Sequence, residues 1–273
     1  MMGGEGLTIQ GLYSELIHGK YYPPRARGTI PGRYQAIISS ISVRRAPVNS
    51  VLEIGPEEPG ISEFMVQSLG IRPSQYECVD ISEQSVKLLQ TRGFRATTLD
   101  VSTERFPFGD SRFSVVIMSE VIEHLINPDH ALSEIHRSLA DDGLLILTTP
   151  NLASWYNRLL LLAGFQPVFS EISTIWTFGR PRNLPMSRPV GHIRMFTPRA
   201  LEDLLSFHGF DIVRTKGLAT PGEFGVVSLL KWFDRRMTTL PHLSAELLVV
   251  ATRRTQLNAT GTGRSAPSAD VRS

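Results

Sequence analysis

The stretch Ser50-Val51-Leu52-Glu53-Ile54-Gly55 decides the fold of this chain, because a short apolar run ends there at a glycine. Such a run, too short for a helix, predicts a strand that is buried on both faces, as in a parallel sheet. Gly60 follows, and the residues from Ile61 to Leu69 have the pattern of a helix. This order predicts a ligand site, since the glycine turn admits a close backbone approach and the helix N-terminus offers unpaired N–H groups.

Short apolar strands continue to alternate with helices over the next hundred residues. The pattern predicts strands at Tyr76–Val79, Phe94–Leu99, Phe113–Met118 and Leu144–Thr148, helices at Ser82–Arg92 and Ala131–Leu139, and a turn at Asp141–Gly143. It resumes with a helix from Thr197 to His208, a strand that opens at Phe210–Val213, and a strand at Ala245–Ala251. Seven strands in this order predict an α/β fold with a doubly wound sheet, whose ligands lie beyond the carboxyl ends of the strands.

Composition divides the chain into three parts. Residues 1–45 predict a partly helical N-terminal extension, with one helix after Pro31. Residues 46–254 predict the α/β domain, with lid-like elaborations at 151–191 and 218–243 that interrupt the alternation. Residues 255–273 hold only Leu257 and Val271 as larger aliphatic residues, so we expect a disordered tail.

The overall composition excludes several classes of protein. Of the 273 residues, 41% are hydrophobic and 20% are charged, as is typical of a soluble globular protein. The single cysteine, Cys78, can form neither an internal disulfide nor a zinc cluster, which favours a reducing compartment. A net charge of +2 makes nucleic acid an unfavoured partner. The N-terminus resembles no targeting signal and no apolar run approaches the ~20 residues of a membrane span, so we expect a cytoplasmic protein.

Acidic residues follow the second and third predicted strands. Asp80 stands at the end of one and Asp100 at the end of the other, on the edge that the glycine turn also occupies. A carboxylate at the first of these positions can accept both hydroxyls of an adenosine ribose. The three positions together predict a nucleoside-containing ligand at this edge.

From about Ser50 to Arg253 the chain resembles the class I S-adenosylmethionine-dependent methyltransferases. The matching pieces are Val51–Gly55, Val79-Asp80, Leu99–Val101, Phe106–Phe108 with Phe113, Ser119–Leu125, Gly143–Asn151, Phe196-Thr197 and Gly209-Phe210. The resemblance implies a Rossmann-like sheet whose last strand is antiparallel and lies between strands five and six. It also implies cofactor contacts, with Glu53 and Gly55 near the methionine part, Asp80 at the ribose, and Asp100 with Val101 at the adenine. Further contacts to the cofactor are expected from Ser119, Gly60 and Ile81.

The glycine turn departs from the Gly-x-Gly-x-Gly pattern of that family. The segment Gly55-Pro56-Glu57-Glu58-Pro59-Gly60 carries Glu57 at the place of the middle glycine and is one residue longer. Two carboxylates there would repel the carboxylate of the cofactor unless they point outward, so we expect the loop to bind it less tightly. A dinucleotide site is disfavoured, because Gly-x-Gly-x-x-Gly is absent and an antiparallel last strand is foreign to such folds.

A second group of polar residues follows the fourth predicted strand. Glu120, Glu123 and His124 have spacings that place all three on one face of a helical turn, and His192 is positioned to join them from a later loop. Carboxylates and imidazoles suit a divalent cation, and we expect magnesium or manganese. The segment resembles the Glu-x-x-Glu-His sequence of small-RNA 3′-terminal 2′-O-methyltransferases, and this resemblance implies a metal held against vicinal hydroxyls. Ubiquinone-pathway O-methyltransferases have a similar Glu-x-x-Glu-His sequence.

Several alternatives for mechanism and partner stay open at this point. In one alternative, catalysis uses a metal ion bound at Glu123, His124 and His192. In the second, His124 or His192 acts as a general base without metal, and in the third these residues have only structural roles. The resemblance favours O-methylation of a hydroxylated small molecule, a glycan or a lipid-linked acceptor. An RNA 2′-O-methyltransferase and a catalytically silent binding module are the other candidates.

The segment Val227–Met237, with Trp232 and Phe233 beside basic residues, could lie on a membrane surface or be a solvated helix with one buried face. The sequence does not determine the oligomeric state.

Overall fold

The computed structural model describes residues 32–42, 44, 46–56, 58–181, 189–219 and 228–254. The helices are α1 (Gly32–Ile41), α2 (Pro59–Leu69), α3 (Glu83–Thr91), α4 (Pro128–Ser138), α5 (Trp155–Leu162), α6 (Pro198–Phe207) and α7 (Ser228–Met237), with 3₁₀ turns at Pro73–Gln75 and Ile122–His124. The strands are β1 (Val51–Ile54), β2 (Tyr76–Asp80), β3 (Arg95–Thr98), β4 (Phe113–Ser119), β5 (Leu139–Pro150), β6 (Phe210–Leu218) and β7 (Glu246–Arg253). The expected disordered tail at 255–273, most of the N-terminal extension and Glu57 lie outside the described residues.

The sheet has the predicted architecture. Its strands lie in the order β3-β2-β1-β4-β5-β7-β6, and β7 runs antiparallel to both of its neighbours. The expectation of a doubly wound sheet with an antiparallel last strand is therefore confirmed. The strand order reverses between β1 and β4, where Ile54 pairs with Met118, and a ligand crevice belongs at that reversal.

Apolar layers cover both faces of the sheet, because successive strand residues point to opposite sides. Leu52 and Ile54 of β1 belong to one buried cluster, which α4 and α6 complete. Val51 belongs to the other, which α1, α2 and α3 complete. The helix predicted after Pro31 is thus present as α1 and is part of the core. No helix in the part of the chain that the structure describes is both long and apolar enough to cross a membrane.

The prediction that a turn at Asp141–Gly143 precedes the fifth strand is wrong. β5 already begins at Leu139, which pairs with Phe113, and the pairing shifts register before Val115 meets Leu144. The intervening residues form an irregularity inside one long strand, because the chain returns to the same neighbour after it. Elsewhere the capping prediction is confirmed, since the hydroxyl of Thr197 accepts the N–H of Ala200 at 3.3 Å and begins α6.

Candidate cofactor and acceptor site

Gly55 turns the chain at the carboxyl end of β1 in a way that only glycine permits. Its φ is +65°, and its N–H donates to the carbonyl oxygen of Val79 at 2.8 Å. A Cβ at this position would lie 2.5 Å from Cγ2 of Val121, which follows β4. The glycine turn therefore packs against the loop that follows β4, at the point where the strand order reverses.

Glu53 fixes this turn from within the core. The side chain is buried, and its Oε2 accepts the hydroxyl hydrogen of Ser62 on α2 at 2.6 Å. Burial, with the charge of Glu53 as the next cause, raises the pKa of the neighbouring Tyr76 well above its usual value. Glu53 thus joins β1 to the helix that follows the glycine turn. Gly60 lies in the first turn of that helix and is exposed.

Asp80 places a buried carboxylate at the end of β2. Its Oδ1 accepts the N–H of Ser82 at 2.8 Å, and Ser82 in turn begins α3. Burial raises the pKa of Asp80 from 3.8 to about 6, and the hydrogen bond from Ser82 opposes that rise. A carboxylate held in this state gains from hydroxyl donors, which would offset the cost of its desolvation. Ile81 lies between the two residues and is partly buried.

Asp100 orders the loop that leaves β3. Its Oδ1 accepts the N–H of Ser102 at 2.9 Å and its Oδ2 accepts the hydroxyl of Thr103 at 2.8 Å. Val101 between them is buried. The carboxylate thus fixes the conformation of the residues that the family resemblance predicts at the adenine.

Glu120 belongs to a chain of polar contacts that the sequence did not reveal. Ser119 and Thr148 are 3.0 Å apart between their hydroxyl oxygens, and Thr148 donates to Oε1 of Glu120 at 2.9 Å. Oε2 of Glu120 forms an ion pair at 3.1 Å with Nη1 of Arg33, which α1 contributes. The same nitrogen lies 3.9 Å from Oε2 of Glu246. The N-terminal extension therefore reaches the edge at which β4 and β5 end.

The prediction that Glu120, Glu123 and His124 share one helical turn is wrong. Glu120 has φ +55°, a left-handed conformation that cannot continue into a helix, and the 3₁₀ turn begins only at Ile122. Glu120 is therefore turned toward Arg33. Among the described residues, Glu123, His124 and His192 instead bring one potential ligand atom each to within 4.8 Å of one another.

Glu123 is the most deeply buried member of this group, which we call the donor cluster. Its Oε2 accepts the hydroxyl of Thr149 at 2.9 Å, whereas its Oε1 is buried and has no hydrogen-bond partner in the described part of the chain. That Oε1 lies 4.0 Å from Nε2 of His192. Burial, and then the charge of Glu120, raise the pKa of Glu123 well above its usual value.

Backbone carbonyls fix the tautomers of both histidines. Nδ1 of His124 lies 3.0 Å from the carbonyl oxygen of Gly191, and Nδ1 of His192 lies 3.2 Å from that of Phe169. A carbonyl oxygen only accepts, so each Nδ1 carries a hydrogen, and the lone pair of a neutral ring is then on Nε2. Burial, followed by the proximity of His124, lowers the pKa of His192 to about 3, so that this ring is neutral at physiological pH.

The loop that carries His192 is held in place from two sides. The carboxylate of Glu171 accepts the backbone N–H groups of Val190, Gly191 and His192 at 2.7, 2.8 and 3.0 Å. On the other side, the carbonyl oxygen of Glu123 accepts the N–H groups of the two residues after His192, each at 3.0 Å. Both sets of contacts preorganise the donor cluster.

A family model described as a methyltransferase domain matches residues 26–215 of this chain, which is most of its length. The chain belongs to that family. It is a class I S-adenosylmethionine-dependent methyltransferase, with the strand order and antiparallel last strand described above.

Two curated relatives match part of the chain. A non-reducing polyketide synthase of Emericella nidulans is 30% identical over 156 residues, which are 54% of this chain and 6% of that protein. A probable S-adenosylmethionine-dependent methyltransferase of Mycobacterium tuberculosis is 29% identical over 119 residues, which are 44% of this chain and 42% of the relative. The chain thus spans less than half of the length of either relative.

A solved structure extends the likeness at the level of the fold. The crystal structure of an S-adenosylmethionine-dependent methyltransferase from Thermotoga maritima, described as a possible histamine N-methyltransferase, has a TM-score of 0.51 and 17% identity. The match covers 81% of this chain and 89% of that one. At this identity the likeness shows the shared fold.

The site contains residues that the sequence did not single out. Arg33, Thr148, Thr149 and Glu171 each contact a predicted site residue or its loop. The two threonines had a signal in the sequence, as adjacent polar residues at the carboxyl end of a predicted strand. Arg33 and Glu171 had none, because their partners are distant in the chain.

Proposed function

We propose that this methyltransferase transfers the methyl group of S-adenosylmethionine to a hydroxyl oxygen of a small-molecule or glycan acceptor. The observation that carries the proposal is the donor cluster, where Glu123, His124 and His192 meet just beyond β4. A glutamate side chain and imidazole nitrogens are suited to activating a hydroxyl group. The net charge of +2 favours such an acceptor over RNA, which normally requires a strongly basic surface.

The residues along the strand ends support the cofactor assignment. Asp80 would accept the ribose hydroxyls, the loop after Asp100 would contact the adenine, and the turn at Gly55 would admit the methionine part. The buried carboxylate of Asp80 at the end of β2 fits such a ligand. S-adenosylmethionine supplies a methyl group on a sulfonium centre that a nearby oxygen nucleophile can attack.

The donor cluster also fits a divalent cation, and we infer that Glu123, His124 and His192 would hold it. Oε1 of Glu123 is a buried acceptor without a partner among the described residues, and His192 is a neutral ligand at physiological pH. Carbonyl contacts to the Nδ1 atoms are the usual support of metal-binding histidines. When bound, a cation such as magnesium or manganese would acidify an acceptor hydroxyl.

A metal-free route would depend on His124 rather than His192. A pKa of about 3 makes His192 a weak base, whereas general-base catalysis is most effective when the pKa lies near the working pH. His124 is only partly buried and lies in the same cluster, with its ring centroid 4.8 Å from that of His192. In this route His124 would accept the acceptor's proton, and Glu123 would stay a buried structural group.

Methyl transfer from radiolabelled S-adenosylmethionine to a panel of vicinal diols, phenols, glycosides and amines tests the proposal. We expect product with hydroxylated acceptors, loss of turnover after chelation, recovery with manganese, and unchanged affinity for S-adenosylhomocysteine. His192→Gln should lose turnover, whereas the control His130→Gln on α4 should keep it. Transfer to amines alone would overturn O-methylation, and turnover that survives exhaustive chelation would leave His124 as the base.

A further inference from the structure

Exposed apolar side chains are concentrated in one part of the molecule. Eleven of the sixteen large hydrophobic residues that are exposed in the described part of the chain belong to residues 155–181 and 228–243. Leu162 is 86% exposed, Ile172 67%, Ile175 68% and Trp232 56%. We call the outer side of these two stretches the α5–α7 surface. Scattered exposed hydrophobics are normal, but a concentration of this kind marks an interaction site.

The two stretches contact each other. The ring of Trp155 on α5 lies 4.9 Å, between centroids, from that of Phe233 on α7, and its indole N–H donates to Asp234 at 3.1 Å. Within the first stretch, the N–H of Gln166 donates to the carbonyl oxygen of Gly179 at 2.8 Å, which closes a loop next to the end of α5. These contacts join α5, the loop and α7.

The α5–α7 surface exposes basic residues, whereas its acidic residues are held by other groups. Its only acidic residues by sequence are Glu171 and Asp234. Glu171 accepts three backbone N–H groups of the 190–192 loop, and Asp234 is buried against Trp155. Arg158, Arg235 and Arg236, by contrast, are exposed. An apolar area bordered by exposed arginines is complementary to an anionic, apolar partner.

We propose that the α5–α7 surface docks this methyltransferase on a bilayer that contains anionic lipids. Basic residues near the surface draw a protein to anionic headgroups, and exposed tryptophans and aliphatic residues enter the interface. Trp176 and Trp232 are exposed there, and the guanidinium of Arg236 lies 5.4 Å from the ring centroid of Trp232. A tryptophan beside a cation is suited to the headgroup level.

The docked surface would lie next to the donor cluster. Phe169 and Glu171, which belong to the 155–181 stretch, contact His192 and its loop directly. A methyl acceptor could then be taken from the lipid surface, a consequence that depends on the proposed function. The docking itself does not depend on it.

Flotation of the full-length protein with vesicles tests the proposal. We expect binding to vesicles of phosphatidylcholine with phosphatidylglycerol, and a blue shift of tryptophan fluorescence. Arg235→Gln with Arg236→Gln should lower the partition coefficient about 25-fold, since each basic residue contributes about fivefold. Leu162→Ser should lower it about tenfold or more. The matched control for Leu162→Ser is Phe207→Ser, at a side chain on α6 that is 64% exposed, and the control for the arginine pair is Arg105→Gln with Arg199→Gln. The controls should change the partition coefficient less than twofold.

Four results would overturn the proposal. The first three are absence of flotation, equal flotation with phosphatidylcholine alone, and equal losses for the control variants. A fourth is sedimentation showing a dimer that Leu162→Ser dissociates while the vesicles bind no protein, which would assign the surface to a second copy of the chain. Affinity for S-adenosylhomocysteine, measured on the same variants, should be unchanged. Failure of the wild type to bind S-adenosylhomocysteine while it still floats with the vesicles would count against the cofactor site and not against the docking.

Discussion

Replacing Asp80 with asparagine should stabilise the protein and abolish cofactor binding at the same time. Burial raises the pKa of this carboxyl from 3.8 to about 6, so the folded protein binds the proton more tightly than the unfolded chain does. As pH rises from about 4 through 6, the unfolded chain loses the proton first, and the charged carboxylate then costs the folded state about 3 kcal/mol near neutral pH. Asparagine carries no charge, and its Oδ1 can still accept the N–H of Ser82.

Urea denaturation of the cofactor-free protein at several pH values measures this effect. The free energy of unfolding of Asp80→Asn should exceed that of the wild type by about 3 kcal/mol near pH 7, and the difference should vanish near pH 4. Titration calorimetry should show no binding of S-adenosylhomocysteine to the variant. Asp203→Asn, at an exposed carboxylate on α6, is the matched control and should change neither quantity. A variant that is less stable at pH 7, or a difference that does not depend on pH, would refute this account of Asp80.

Three further predictions follow from the geometry. The affinity of the wild type for S-adenosylmethionine should fall about tenfold per pH unit below pH 6, because the ribose hydroxyls need the ionised Asp80; calorimetry with an affinity independent of pH would contradict this. Gly55→Ala should lower the free energy of unfolding by about 2 kcal/mol, from the positive φ and the contact with Val121, and Gly55→Ala with Val121→Ala should recover only the contact part. Arg33→Met should lower the free energy of unfolding by about 3 kcal/mol by removing the Arg33–Glu120 ion pair, and adding Glu120→Gln should recover part of that loss. Additive losses in denaturant unfolding would argue against the pair.

The fold was predictable because each strand carries its own signal. The buried run at Val51–Ile54 lies between α2 and α3 on one face and α4 and α6 on the other, so both faces had to be apolar. The bulge in β5 was not predictable in the same way. Asp141-Asp142-Gly143 has the composition of a turn, and only the pairing of Leu139 with Phe113 shows that the strand begins before it.

The candidate site was predictable where a residue follows a strand directly. Asp80 and Ser119 are fixed by the ends of β2 and β4, which the sequence located to within two residues. Glu120 was misplaced because spacing rules assume a regular helix, whereas the residue takes a left-handed conformation. Its partner Arg33 comes from α1, and no local pattern records which distant carboxylate an arginine meets.

The donor cluster is the central proposal, and a manganese titration followed by electron paramagnetic resonance tests it most directly. In the presence of S-adenosylhomocysteine, the wild type should bind one manganese ion, and Glu123→Gln should bind none while it keeps its affinity for the nucleoside. Glu120→Gln, at the carboxylate that pairs with Arg33, should still bind the ion. Absence of bound manganese in the wild type, or equal binding by Glu123→Gln, would contradict a cation site at Glu123, His124 and His192.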